Sequence, residues 1–76
     1  MIQEHDNIVL TIDLPSAGLE AGDVGVVIHV HQQGKAFEVE FLTLDGNTIT
    51  VETLEPNHIR PIREREIPHV REIIAA

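Results

Sequence analysis

Apolar and polar residues alternate most cleanly in residues 36–42 (AFEVEFL), where Phe37, Val39 and Phe41 fall on one side of an extended chain and Glu38 and Glu40 on the other. A one-residue slip would bury both glutamates, so the register of this strand is tightly specified. Residues 48–54 (TITVETL) alternate again, which places Ile49, Val51 and Thr53 inward and Glu52 outward. Asp45-Gly46-Asn47 between the two is a strong hairpin turn. Residues 24–30 (VGVVIHV) are almost wholly apolar, the pattern of a strand buried over much of both faces. Gly25 inside that run predicts a bulge or kink of the kind that lets a small barrel close. Residues 31–35 (HQQGK) turn the chain into the next strand, with Gly34 available for a positive-φ position. Three consecutive strands therefore occupy residues 21–54, and the rest of the chain is arranged around them.

Residues 7–12 (NIVLTI) are β-branched and apolar, which predicts a first strand. Residues 13–23 (DLPSAGLEAGD) collect Pro15, Gly18 and Gly22, so they form a loop of Ω character and not a helix. Leu14 and Leu19 tuck beneath that loop as anchors, with Ser16 and Glu20 in water. Pro56 ends the fourth strand, and residues 55–58 form a short turn of tight helix. Residues 59–62 (IRPI) are a brief last strand that Pro61 confines to an edge. The class is all-β: a small five-stranded, SH3-like, partly open barrel over residues 1–62, with a meander packed on a partner as the alternative.

Residues 63–76 (REREIPHVREIIAA) change character. Ile67, Val70, Ile73 and Ile74 are spaced by three and four, so a helix here would carry one apolar face. Pro68 suits a first helical turn, which predicts a short helix over residues 68–75. So short a helix is unstable alone, since isolated helices need roughly 12–15 residues. The segment is expected to dock on its own barrel, on a second copy, or on another protein.

Length and composition sharpen this picture. A chain of 76 residues buries only about 60% of the surface its unfolded form exposes, so its core is small. There is no cysteine, which removes disulfides and suits a cytoplasmic protein. No apolar run approaches a membrane span, and MIQEHDN lacks the layout of a secretory signal. Phe37 and Phe41 are the only aromatic residues apart from histidines, and the core needs both. Base-stacking platforms and aromatic grooves for proline-rich peptides cannot be built from them.

The net charge of −8 is unevenly spread. Residues 1–59 hold ten carboxylates against Lys35 alone, leaving that stretch at −9, while residues 60–76 stand at +1. An acidic body repels phosphate backbones, so direct nucleic-acid binding is not expected, and it attracts basic protein surfaces. The unpaired edges of an open barrel recruit partners by strand addition. Glu38, Glu40 and Glu52 beside those edges would select a basic one.

Chemistry offers less. His29 and His31 are two apart and share a strand face, and His58 could approach from a neighbouring loop, but this spacing matches no compact metal motif. Ordinary surface or half-buried histidines are the expectation, with no metal and no cofactor. The one serine, Ser16, lies in a loop with no histidine near it in sequence, and so small a barrel has no room for a deep cleft. Glu38 and Glu40 have the geometry of a solvated strand face. Gly22-Asp23-Val24-Gly25 lacks the Lys-Ser/Thr and following helix of a phosphate loop. The chain is not expected to be an enzyme.

Leu14-Pro15, the Gly22-Asp23-Val24-Gly25 corner, the AFEVEF strand of residues 36–41, and the closing Leu54 and Ile59-Arg60-Pro61 together resemble a bacterial family known as domain of unknown function 4926. The resemblance covers roughly residues 7–62. It implies a small SH3-like barrel without assigned catalytic residues. It also implies an association with small nuclease-type proteins, and hence an antitoxin or immunity role. Val26 departs from the threonine that many relatives carry, and residues 63–76 lie outside the pattern. The function expected is a non-catalytic protein-binding module, the acidic antitoxin partner of a small basic toxin. Glu38, Glu40 and Glu52 would form the contact, helped by Ile67, Val70, Ile73 and Ile74. The alternative is a self-associating accessory protein whose tail makes a homo-oligomer.

Overall fold

The computed structural model describes residues 1–73. Five strands, β1 (Asn7–Leu10), β2 (Val24–His31), β3 (Ala36–Leu42), β4 (Thr48–Leu54) and β5 (Ile59–Pro61), form one antiparallel sheet in the order β4-β3-β2-β1-β5. The arrangement fits a small, partly open barrel and is compatible with the SH3-like kind. Bounds for β3 and β4 coincide with the sequence reading, whereas β1 ends two residues early.

The core is small. Ile8, Leu10, Leu19, Val27, Phe37, Val39, Phe41, Leu54 and Ile59 pack into one cluster. Phe37, Val39 and Phe41 all point into it, as the alternation of β3 requires. Full burial of such side chains stabilises by about 1.5–3 kcal/mol each, so few can be lost.

The strand buried on both faces is β1, not β2. Ile8, Val9 and Leu10 of β1 are all buried. In β2, Val24, Ile28 and His29 are exposed. The expected bulge is also displaced. Between Val27 and His29 the pairing with β3 shifts by one residue, which leaves Ile28 outside while Val27 and Val30 face inward. Gly25 has a different purpose. A Cβ there would stand 2.6 Å from Val39 Cγ1 and 2.8 Å from Phe41 Cε1, so its bare backbone admits β3 to close approach.

A second shift lies between β3 and β4. Phe37, Val39 and Phe41 stand opposite Leu54, Glu52 and Thr50, whereas Leu42 is opposite Thr48. Residues directly opposite share a face. Thr50, Glu52 and Leu54 therefore follow the core side, and Val51 and Thr53 join Glu40 and Glu38 on the outer side. This reverses the facing expected for β4 over most of its length. Ile49, the extra residue at the shift, still packs against the core.

The connections follow their chemistry. The β1–β2 loop is closed by a bridge between Leu14 and Leu19, with a 3-10 turn at Pro15–Ala17 inside it. Leu19 is buried and Leu14 half-buried, with Ser16 and Glu20 exposed. Gly34 (φ 100°) and Gly46 (φ 89°) take left-handed positions in the two hairpin turns, the first alongside Gln32 (φ 47°) and Gln33 (φ 60°). A second 3-10 turn, Pro56–His58, leads into β5, which among the described residues pairs only with β1 and so lies at the sheet's edge.

The tail is not helical over its described part. Residues 67–73 carry no regular secondary structure, Ile67 and Val70 are exposed, and the apolar helical face is not assembled. Ile74 lies outside the described residues. Nucleating a helix is costly, and eight residues give too few hydrogen bonds to repay it. Side-chain contacts hold the segment in place instead. Arg60 donates to both Glu66 oxygens, at 2.9 and 2.6 Å, which closes a turn at the tail's start. Arg71 binds back to the β1–β2 loop.

Candidate functional site

The outer face of β2, β3 and β4 carries His29, His31, Glu38, Glu40, Thr53 and Val51 side by side. Glu38 Oε2 accepts a 2.8 Å hydrogen bond from Thr53 Oγ1 and lies 2.8 Å from His31 Nε2. The Thr53 hydroxyl, then the His31 ring, hold the Glu38 carboxyl below its ordinary range. Glu40 accepts from Thr48 Oγ1 at 2.5 Å. Both carboxylates are thereby fixed in orientation, so little side-chain freedom is left to lose on binding.

Glu52 is not among them. It lies on the core side of β4, half-buried at the edge of the sheet, and accepts from Thr50 Oγ1 at 2.7 Å. The three glutamates therefore do not form one surface. Beside the outer-face pair, β4 hydrogen-bonds only to β3, so one of its backbone edges is free of sheet partners among the described residues.

The histidines adjoin this face. The rings of His29 and His31 meet edge to face, with centroids 4.6 Å apart, and His29 Nδ1 lies 3.5 Å from Glu4 Oε2. His58 does not join them. Its Nδ1 accepts from the Glu55 backbone N–H at 3.2 Å and caps the second 3-10 turn. Among the described residues no group of three His, Asp or Glu converges in a way that could hold a metal. Ser16 sits exposed on the first 3-10 turn.

The pattern along the chain did not single out the most specific polar site. Arg71 Nε donates to Asp23 Oδ1 at 2.8 Å and Arg71 Nη2 donates to Asp23 Oδ2 at 2.5 Å. The same Nη2 donates to the Gly18 carbonyl at 3.0 Å, and Glu20 Oε1 lies 3.7 Å from Nε. Partial burial pushes the Asp23 carboxyl up, but the Arg71 hydrogen bonds, the Glu20 backbone N–H and the Arg71 charge outweigh it and hold it below the usual carboxylate range. The legible signal was the charge asymmetry itself: an acidic loop and, 48 residues later, an arginine-bearing tail.

A family model described as a domain of unknown function (DUF4926) matches residues 4–61, more than half of the chain. The chain belongs to this family. The matched region takes in all five strands and the β1–β2 loop, including Asp23, and stops before the tail that carries Arg71. No curated protein and no solved structure matches the chain significantly. Among the described residues no helix is long and apolar enough to cross a membrane.

Proposed function

We propose that this DUF4926 chain is a non-catalytic module that binds a basic protein surface in the cytoplasm. The observation that carries the reading is the pair Glu38 and Glu40, held by hydroxyl and imidazole partners on one sheet face beside the free edge of β4. A basic partner gains there from fixed carboxylates and from backbone pairing along the edge. Arg71 of the tail and Arg60 of β5 neutralise carboxylates locally, at Asp23 and Glu66, and leave the outer face acidic. The form of this reading suggested by the family resemblance is an antitoxin that covers the substrate face of a small basic nuclease.

A second reading has one observation in its favour. Ile67 and Val70 are 89% and 71% exposed, more apolar surface than a short tail needs. Burial between two copies would make the chain a self-associating accessory protein. The two readings part in a pull-down from native cells at low salt. The first expects a stoichiometric basic partner, lost when Glu38 and Glu40 are changed to Gln and retained in Glu52→Gln, whose carboxylate lies on the other side of the sheet. The second expects the chain alone, at a mass of two copies or more.

A further inference from the structure

We propose that the Gly18–Asp23 corner is an arginine-docking cradle, occupied in this structure by the chain's own tail, which an extended arginine-bearing segment of a basic partner displaces. The inference deepens the reading of a basic partner by naming a second contact and its chemistry.

The cradle is built by the barrel, not by the tail. The Glu20 backbone N–H donates to Asp23 Oδ2 at 2.8 Å, and the Ala21 N–H donates to Asp13 Oδ1 at 2.8 Å. Leu10 closes on the same corner through its N–H to the Asp23 carbonyl and its carbonyl to the Gly22 N–H. The Leu14–Leu19 bridge and the buried Leu19 side chain anchor the loop from below. Its acceptors are therefore in place before any guanidinium arrives.

Its shape selects arginine. Two oxygens of one carboxylate take Nε and Nη2 of a planar fork, and the Gly18 carbonyl takes Nη2 as well. A lysine ammonium is a point charge and cannot span these acceptors together. Beside the fork, Gly18 presents no side chain, and Ile73 Cδ1 lies 3.9 Å from where a Cβ on Gly18 would stand. The preferred sequence is thus arginine followed two positions later by an aliphatic residue.

The present occupant is held at few points. Residues 61–70 are exposed throughout, and Arg71 with Ile73 supplies the half-buried contacts beyond them. A tethered occupant of this kind acts as a competitor at high effective concentration, so outside ligands bind weakly until it is removed.

The test uses the full chain and a labelled synthetic peptide, EIPHVREIIAA, which copies residues 66–76. Arg71→Ala empties the cradle while leaving the barrel intact. This variant is expected to bind the peptide at least about tenfold more tightly than the wild-type chain, because the tether no longer competes. Amide shifts should map to Gly18–Asp23, and a peptide carrying Arg71→Lys should bind at least about tenfold more weakly. Equal affinity in the two chains, or shifts elsewhere, would overturn the proposal. So would a concentration-dependent dimer of the wild-type chain that Arg71→Ala abolishes, since the occupant would then be a second copy. No native partner enters this assay, so its failure removes the cradle and leaves the acidic sheet face to be judged by the pull-down.

Discussion

Gly25→Ala isolates the close approach of β2 to β3. The added methyl would stand 2.6 Å from Val39 Cγ1, 2.8 Å from Phe41 Cε1 and 3.0 Å from Phe41 Cδ1. Optimal carbon contacts lie at about 3.5–4.0 Å, so the nearest is short by roughly 1 Å. Neither neighbour can turn aside, because Val39 and Phe41 are 0% and 1% exposed in the packed cluster. Overpacking of this kind costs about 1–3 kcal/mol. Three contacts at 3.0 Å or less put this case in the upper half of that range, about 2–3 kcal/mol, and reduced freedom of the unfolded chain offsets about 0.4–1 kcal/mol, for a net loss of about 1–2.6 kcal/mol. A chain of this size is stable by roughly 4–11 kcal/mol, and each kcal/mol moves Tm by about 4–8 °C. Thermal unfolding followed by circular dichroism should therefore show a fall of about 4–21 °C. Adding Val39→Ala removes the nearest clash, so the double variant should be less destabilised than the two single losses predict, by about 0.5 kcal/mol or more. A Gly25→Ala protein that melts within about 2 °C of wild type would refute the reasoning, since that lies below the smallest shift expected.

Other outcomes follow from the same structure. Phe41→Ala removes the largest fully buried side chain and should cost about 3–5 kcal/mol in urea unfolding, much of the total stability. Gly46→Ala meets nothing within 4 Å, so only its left-handed backbone (φ 89°) is penalised, and a loss of about 1 kcal/mol is expected by the same method. Ile67→Ser, at a side chain 89% exposed, should leave Tm unchanged, whereas a loss would mean that the tail is packed against another surface. The hydrogen bond from Arg60 and the Arg63 backbone N–H lower Glu66 from an ordinary 4.5 to about 2, and Asp23 is also lowered. Carboxyls depressed in the folded state add stability above their ordinary values, and that stability is lost as pH falls through the folded ones. Hydrogen exchange of the tail amides should thus stay constant down to about pH 4.5 and accelerate, after correction for intrinsic rates, towards pH 2. Acceleration on raising the pH from neutral would contradict these assignments.

The legible parts of the fold were those fixed by short-range pattern. Two glutamates between three large apolar residues admit a single facing for β3, and Asp-Gly and Gln-Gly mark its turns. The facing of β4 was hidden because alternation read from Ile49 assumes an unbroken ladder. The shift at Leu42 inserts Ile49 as an extra residue, and beyond it the core side passes to Thr50, Glu52 and Leu54. That one step separates Glu52 from Glu38 and Glu40, which no periodicity reveals. Likewise the spacing of Ile67, Val70 and Ile73 suits a helix, but the bidentate Arg71–Asp23 contact depends on tertiary proximity. The corner that carries Asp23 was visible as a backbone motif. Its role as an acceptor was not, because the donor comes from 48 residues away.

The reading of this chain as an acidic module for a basic partner is tested most directly by the mass and salt dependence of the native complex. The tagged full chain would be recovered from its own cells at low salt and its mass followed by light scattering as salt is raised. A one-to-one complex with a basic protein is expected. Its dissociation constant should rise at least about tenfold between roughly 0.05 and 0.3 M salt, as screening shortens the reach of the carboxylates. Recovery of the chain alone at two or more copies, or of a complex indifferent to salt, would contradict it.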